Sequence, residues 1–374
     1  MKTINEIDVN NKAVVVRCDY NVPIENGVIQ DNSRIVKSLK TINYLLEHNA
    51  KVIILSHLGR VKTEEDRVKY SLRVVAQELG KLINKKVEFI PSCYGNEVKE
   101  KTTNLSLGEV ALLENTRFMD YPDKLESGND PKLAEFWASL GDVFILDAFG
   151  SCHRAHASTA GIAKYIPSAI GFLVESELQH LNTLIDIKER PFTIFMGGAK
   201  VEDKLPIIKK LLPKCDYLLL GGGIANSFLK ASGMDVKNSL ATEDESLLQE
   251  LKNMLDNNKD KIVLPVDFVI DNDSIFDLGV NSIDKFTTYI EKSNLCFING
   301  TPGLSEDDRF AEGTKSLLKY LASYHGKVIA GGGDTVSAIK RFGFEGKFYF
   351  ESSGGGATLE YIADGELEAL KWLK

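Results

Sequence analysis

Val328–Phe342 reads VIAGGGDTVSAIKRF: an apolar run, three glycines and a helical pattern in direct succession. The run does not alternate polar with apolar residues, so it predicts a strand buried on both faces of a parallel sheet. The glycines allow a tight turn and a close backbone approach, and a helix opening there offers free N–H groups and partial positive charge to an anion. The same succession occurs at Tyr217–Leu220 with Gly221–Gly223 and IANSFLKAS. It occurs again at Phe348–Phe350, with Gly354–Gly356 and ATLEYIA.

Outward from these turns, further apolar runs predict strands at Ala13–Arg17, Val52–Ser56, Val110–Leu113, Val143–Leu146, Phe192–Met196, Ile262–Val266 and Leu295–Ile298. Helical patterns lie between them at Ser71–Leu82, Lys204–Leu212, Glu243–Leu255 and Thr314–Leu321. Such alternation means repeated βαβ units and an α/β fold. A chain of 374 residues exceeds what one core usually serves, so two domains are expected. The amphipathic pattern at Glu175–Ile187 marks the boundary, giving domains 1–173 and 174–360.

The net charge of −8 argues against a nucleic-acid binder and makes any local basic cluster informative. Five scattered cysteines (Cys18, Cys93, Cys152, Cys215, Cys296) with no CxxC pair suggest reduced thiols in a cytoplasmic protein. The polar start, MKTINEIDVNNK, is not a signal peptide, and no apolar run is long enough to span a membrane. No segment reads as a dimer interface, so a monomer is expected.

Ligands of open parallel sheets bind beyond the carboxyl ends of the strands. In the second half, GGAKVEDK (197–204) follows a strand and carries Lys200 and Lys204 four residues apart. On a helix, that spacing puts both ammonium groups on one face, as a solvated surface pair or around an anion. Asp334, after Gly331–Gly333, is either an N-cap or a Mg²⁺ ligand beside a phosphate loop. GxxxxGK[ST] and GxGxxG are both absent, which counts against a P-loop ATPase and a standard NAD enzyme.

In the first half, Arg17, His57, Arg60, Arg117, His153, Arg154 and His156 fall at or just after strand ends, with Asp19, Asn21 and Arg34 nearby. Arginine suits bidentate pairing with carboxylate and phosphate, so five arginines with imidazoles at one rim of an acidic protein predict a compact polyanion site. Other readings stand beside this one. His153-x-x-His156 could ligate a metal, and Cys152 could be a thiolate nucleophile or an inert thiol. Asp19 and Asn21 could bond substrate hydroxyls or orient an arginine.

In order and approximate spacing, RCDYNVP (17–23), SHLGR (56–60), LLENTRF (112–118), DAFGSCHRAHAST (147–159), GGAKVEDK (197–204), GGGIANSFL (221–229), GGGDTVSAI (331–339) and SSGGGATLE (352–360) resemble the phosphoglycerate kinase family along essentially the whole chain. The resemblance implies two similar Rossmann-like lobes, each a parallel sheet flanked by helices, joined by a helix and hinge. It also implies that the tail, about 361–374, packs back on the first lobe. A 3-phosphoglycerate site would comprise Asp19, Asn21, Arg34, His57, Arg60, Arg117 and Arg154. A nucleotide site would comprise Lys200, Lys204, Gly222 and Gly223 beside the adenine, Asn299, Glu306 on the ribose, Gly332, Gly333, Asp334 and Thr335, with Asp334 on Mg²⁺. The implied reaction is reversible transfer of the acyl phosphate of 1,3-bisphosphoglycerate to MgADP, giving 3-phosphoglycerate and MgATP.

In that reading Arg34 and Lys204 act on the transferring phosphoryl group, with backbone N–H groups at Gly332, Gly333, Gly355 and Gly356, while Lys200 holds nucleotide phosphates. Departures concentrate in the second half. INGTPGLSE (298–306) lacks the family's Trp and Pro-Met, DLGVN (277–281) stands for Asp-Ile-Gly-Pro-Lys, and Phe350 or Glu351 replaces a histidine. The tail GELEALKWLK is short. These departures motivate a second reading, a catalytically weak paralogue that binds nucleotide or metabolite for regulation. A kinase for another acyl phosphate is a third, disfavoured by the intact first-half cluster.

Overall fold

The computed structural model describes residues 1–373. The first sheet contains β1 (Ala13–Cys18), β2 (Lys51–Leu55), β3 (Val87–Ile90), β4 (Val110–Leu113), β5 (Val143–Asp147) and β6 (Ser168–Ile170). Their spatial order is β3-β4-β2-β1-β5-β6, and every pairing is parallel. The second sheet contains β7 (Phe192–Met196), β8 (Tyr217–Leu220), β9 (Ile262–Val263), β10 (Leu295–Asn299), β11 (Lys327–Gly331) and β12 (Phe350–Glu351). It is ordered β9-β8-β7-β10-β11-β12, again wholly parallel. Helices connect and cover the strands, so the chain is an α/β protein of two six-stranded parallel sheets.

The chain divides into two compact units, Met1–Gln179 together with the tail from Glu366, and His180–Gly365. The division falls within the helix Phe172–Leu181. In the first unit the central strands are buried on both faces, as their unbroken valine and isoleucine runs require. One face packs on α1 (Ser33–Glu47), which buries Ile35, Ser38, Ile42 and Leu45 at helical spacing. In the tail, the Ala369 amide donates to the Cys152 carbonyl at 2.9 Å, and the Lys164 ammonium lies 4.2 Å from the Trp372 ring centroid. Lys374, the end of the expected tail, lies outside the described residues. The helix Gly356–Asp364 belongs to the second unit, so the tail joins the first only from Glu366.

Two strands have no clear apolar run to announce them. β3 (VEFI) carries Glu88 at the sheet edge and is mostly half-buried, and β6 (SAI) has only three residues. The run at Ile262–Val266 forms a strand only to Val263, because Pro265 has no amide to donate to a ladder. The run at Phe348–Phe350 pairs two residues later, at Phe350–Glu351.

Candidate active site

In the first unit, β1 ends in Arg17 and Cys18 and leads straight into Asp19. Arg17 is 1% exposed, and all three guanidinium nitrogens are engaged. Nε donates to Ser158 Oγ at 2.8 Å, Nη1 to the Cys18 carbonyl, and Nη2 meets His57 Nδ1 at 3.0 Å. Asp19 pairs with Arg34, which stands in the first turn of α1, where helix polarity disfavours a cation. Burial would raise the Asp19 carboxyl, but Arg34, His57 and Arg17 outweigh it and hold it below the usual range.

The turn after β2 is fixed from two sides. Gly59 N donates to Asn21 Oδ1 at 2.8 Å, and Arg117 Nη1 donates to the Gly59 carbonyl at 3.0 Å. Asn115 orients Arg117, its side chain accepting from the Arg117 amide at 3.1 Å. Arg60 and Arg154 are exposed, and their guanidinium groups have no hydrogen-bond or ion-pair partner among the described residues. The sequence-predicted residues of this half thus fall into two bonded sets, Arg17–His57 and Arg34–Asp19–Asn21–Gly59–Arg117, the Asn21 amide donating to Asp19 Oδ1 at 3.2 Å, with Arg60 and Arg154 free.

The histidines are shifted by burial first and by the neighbouring arginines second. Burial first, then Arg17, pushes His57 well below its ordinary value. Burial, then Arg17, Arg117 and Arg154, lowers His156 to about 3, and burial and Arg154 lower His153. Arg117 is itself lowered by burial and Arg17. Burial is the main cause in all three imidazoles and the arginines add to it; the concentration of arginines is what suits the cluster to an anion.

Of the two readings of Cys152 the inert thiol stands: the side chain is fully buried and burial raises its thiol far above the ordinary value. Among the described residues no group of three or more His, Cys, Asp or Glu side chains is placed to hold a metal, which leaves His153 and His156 without a third ligand. Two further participants were not read as site residues from the sequence. Glu126 and Ser158 are both fully buried, with Glu126 accepting from the Ser158 amide at 3.0 Å and from its hydroxyl. Glu126, in DKLESGND, lies outside every quoted motif; Ser158 lies inside DAFGSCHRAHAST (147–159), where the arginine and histidines declare their chemistry and a serine does not.

In the second unit, three strand ends meet at Lys204. It lies in the first turns of α2 (Val201–Leu211), the helix that follows β7. Its ammonium donates to the Gly197 carbonyl at 2.8 Å and to Asn299 Oδ1 at 2.5 Å, at the ends of β7 and β10. Asn299 Nδ2 donates to the Gly331 carbonyl at 2.9 Å, at the end of β11. Thr335 Oγ1 accepts from the Gly300 amide at 2.7 Å and ties the next helix to the same frame. Asn299 is therefore occupied at both ends by protein and serves to seat Lys204. Burial lowers the Lys204 ammonium to about 8, with only Asp334 opposing. No carboxylate forms an ion pair with it among the described residues.

The shared-face expectation for Lys200 and Lys204 does not hold. Lys200 is the N-cap of α2 in extended conformation (φ −116°, ψ 127°), so helical spacing does not apply, and its side chain is exposed. Asp334 is not the N-cap of the helix Gly333–Arg341; Gly332 is. The Asp334 carboxylate is exposed in the first turn and makes no hydrogen bond or ion pair among the described residues. Gly332 takes φ 98°, and a Cβ there would lie 2.6 Å from Asn299 Nδ2.

The three glycine turns differ in kind. A Cβ on Gly223 would lie 1.9 Å from the Ala199 carbonyl oxygen, and one on Gly222 would lie 2.8 Å from that of Gly198, so that turn is packed against backbone. Cβ atoms on Gly333, Gly355 and Gly356 would meet nothing within 4 Å. Two adjacent strands, β11 and β12, thus deliver helix N-termini with open glycines. Glu306 lies exposed beyond the Gly300–Ser305 loop.

The chain is similar to known proteins along nearly its whole length. The family model described as phosphoglycerate kinase matches residues 4–365. A phosphoglycerate kinase of Lactobacillus delbrueckii subsp. bulgaricus is 42% identical, covering 98% of this chain and 97% of the relative. One of Fusobacterium nucleatum subsp. nucleatum is 44% identical, covering 96% of each. The solved phosphoglycerate kinase of Coxiella burnetii superposes with a TM-score of 0.86 at 34% identity, covering 99% of this chain and 98% of that one. That of Pyrococcus horikoshii OT3 gives 0.87 at 30% identity, covering 100% and 98%. Matching from residue 4 to residue 365, with relatives of this identity along nearly their full length, the chain belongs to the phosphoglycerate kinase family.

Proposed function

We propose that the chain transfers the acyl phosphate of 1,3-bisphosphoglycerate to MgADP and, in reverse, phosphorylates the carboxylate of 3-phosphoglycerate from MgATP. The observation that carries this is Lys204, a largely buried ammonium seated on two oxygens, with no ion-pair partner. A buried cation in that state is stabilised by an incoming anion. The open helix N-termini at Gly333 and Gly356 supply N–H donors for equatorial phosphoryl oxygens.

The glyceryl substrate belongs to the first unit. Arg60, Arg117 and Arg154 receive its phosphate and carboxylate, Asp19 and Asn21 its hydroxyl, and His57 donates from Nε2. Arg34, aimed by Asp19, serves the transferring group. The attacking carboxylate is ionised near neutral pH, so no general base is required. The nucleotide belongs to the second unit, with Lys200 on its phosphates, Gly222 and Gly223 beside the base, and Glu306 on the ribose.

Asp334 fits a metal that keeps most of its ligands as water and phosphate, because it offers one unpaired carboxylate beside an open glycine. When bound there, Mg²⁺ supplies charge neutralisation for the nucleotide oxygens. The two ligands are assigned to different units. We read the protein as a monomer, and five free, buried cysteines are in keeping with a reducing cytoplasm.

A coupled assay with 3-phosphoglycerate and MgATP, run beside calorimetry with MgADP, tests the reading. Turnover with saturable dependence on both substrates is expected. MgADP binding without turnover would overturn it.

A further inference from the structure

We infer that Glu126 and Ser158 are positioning residues for the phosphoglycerate site: they hold Arg17, and through Arg17 they fix the ring orientation and protonation of His57. The inference rests on the function proposed above and adds two residues not among those read as site residues: Glu126, outside every quoted motif, and Ser158, near the end of DAFGSCHRAHAST (147–159).

Each link is directional. The Ser158 hydroxyl has one proton, which it donates to Glu126 Oε1, leaving a lone pair for Arg17 Nε at 2.8 Å. The Ser158 amide donates to the other carboxylate oxygen at 3.0 Å. Glu126 therefore holds the serine at two points and prevents its hydroxyl from rotating away. Arg17 then has its Nη1 on the Cys18 carbonyl and its Nη2 at 3.0 Å from His57 Nδ1. A guanidinium only donates, so Nδ1 must be the unprotonated acceptor. The neutral ring consequently carries its proton on Nε2, which has no hydrogen-bond partner among the described residues. An Nε2–H donor suits an anionic oxygen, whereas an imidazole free to flip would present a lone pair for part of the time.

The charges are consistent with this arrangement. Arg17 is 1% exposed and requires an anion within reach, and Glu126, at 0% exposed, supplies it through the serine. His156 Nδ1 lies 4.0 Å from Glu126, but burial and the arginines keep that ring neutral, so it does not compete for the carboxylate. The groups acting on His57 are Arg17, Asp19, Arg117 and Arg34. Of these, Arg17 makes the direct hydrogen bond. Releasing it removes the chief cation opposing protonation, and the Asp19 carboxylate then favours the imidazolium.

A purely structural network is the competing account, and two readouts separate them. In ¹⁵N-histidine spectra of the free wild-type protein, with the His57 signal assigned by its loss in His57→Gln, Nδ1 should be an unprotonated acceptor from pH 8 to 5. In Ser158→Ala the same ring should titrate at higher pH than in the wild type, with burial still holding it below the ordinary histidine value. The KM for 3-phosphoglycerate should rise about tenfold, the loss of one charged hydrogen bond, while kcat and the KM for MgATP stay within about twofold. Glu126→Gln keeps shape and an acceptor oxygen but removes the charge, and should move both readouts in the same direction. It carries the test should Ser158→Ala fail to fold.

Variants with a lowered melting temperature but wild-type His57 titration and KM would overturn the inference, as would a protonated Nδ1 in the wild type. The spectrum is read without substrate. It therefore judges the relay separately from the kinase reading, which an absence of wild-type turnover would sink.

Discussion

Lys204, Arg154 and Arg17 are all cations at a strand end or just beyond one, yet burial gives them different tasks. Arg154 is exposed without a side-chain partner, so Arg154→Ala should raise the KM for 3-phosphoglycerate about tenfold and leave the melting temperature unchanged. Arg17 is buried with three partners, and Arg17→Ala strands Glu126. Breaking a buried pair in this way costs about 3–5 kcal/mol, so a clear fall in the urea midpoint is expected beside the kinetic defect. Equal melting temperatures for the two variants would contradict the distinction. Arginine and histidine at strand ends were legible in the sequence because the residue types declare their chemistry. Ser158 was not, since its role comes from a contact with Arg17, 141 residues away in the chain.

Among the elements, the strand–turn–helix units were the most legible, because an unbroken apolar run followed by glycines leaves few alternatives. What the pattern could not distinguish was why each glycine is there. Gly332 stands at φ 98° against Asn299, and Gly333 borders open space. Gly332→Ala should therefore destabilise by about 1–3 kcal/mol and lower kcat, because Asn299 seats Lys204. Gly333→Ala should leave stability unchanged. Thermal melts of both variants with parallel kinetics check this, and a stable, fully active Gly332→Ala would refute it. The Lys200–Lys204 pair shows the converse limit. Four-residue spacing is informative only inside a helix, and this helix begins one residue after Lys200.

At the scale of the whole molecule, two parallel sheets and two units follow from length and from the spacing of apolar runs. The edge strand at Val87–Ile90 and the short strand at Ser168–Ile170 did not, being formed by pairing with neighbours rather than by their own composition. The balance of buried titrating groups sets a pH dependence. His156 is held near 3 in the folded state, so below pH ~6.5 the unfolded chain binds the extra proton and stability falls as the pH drops towards 3. Asp147 and Asp277, raised by burial to about 6, oppose this: the folded state binds their protons first, which relieves a penalty as pH falls through 6. His156→Gln should therefore flatten the acid decline in urea midpoint between pH 6.5 and 4, and an unchanged slope would contradict the assignment.

The central claim is that an unpaired, half-buried ammonium on the second unit receives the phosphoryl group while the first unit binds the glycerate independently. Steady-state kinetics of Lys204→Ala, with calorimetric titration of 3-phosphoglycerate, test it most directly. The account predicts a kcat lowered about a hundredfold or more with 3-phosphoglycerate affinity nearly intact. An unchanged kcat, or a loss confined to 3-phosphoglycerate binding, would contradict it.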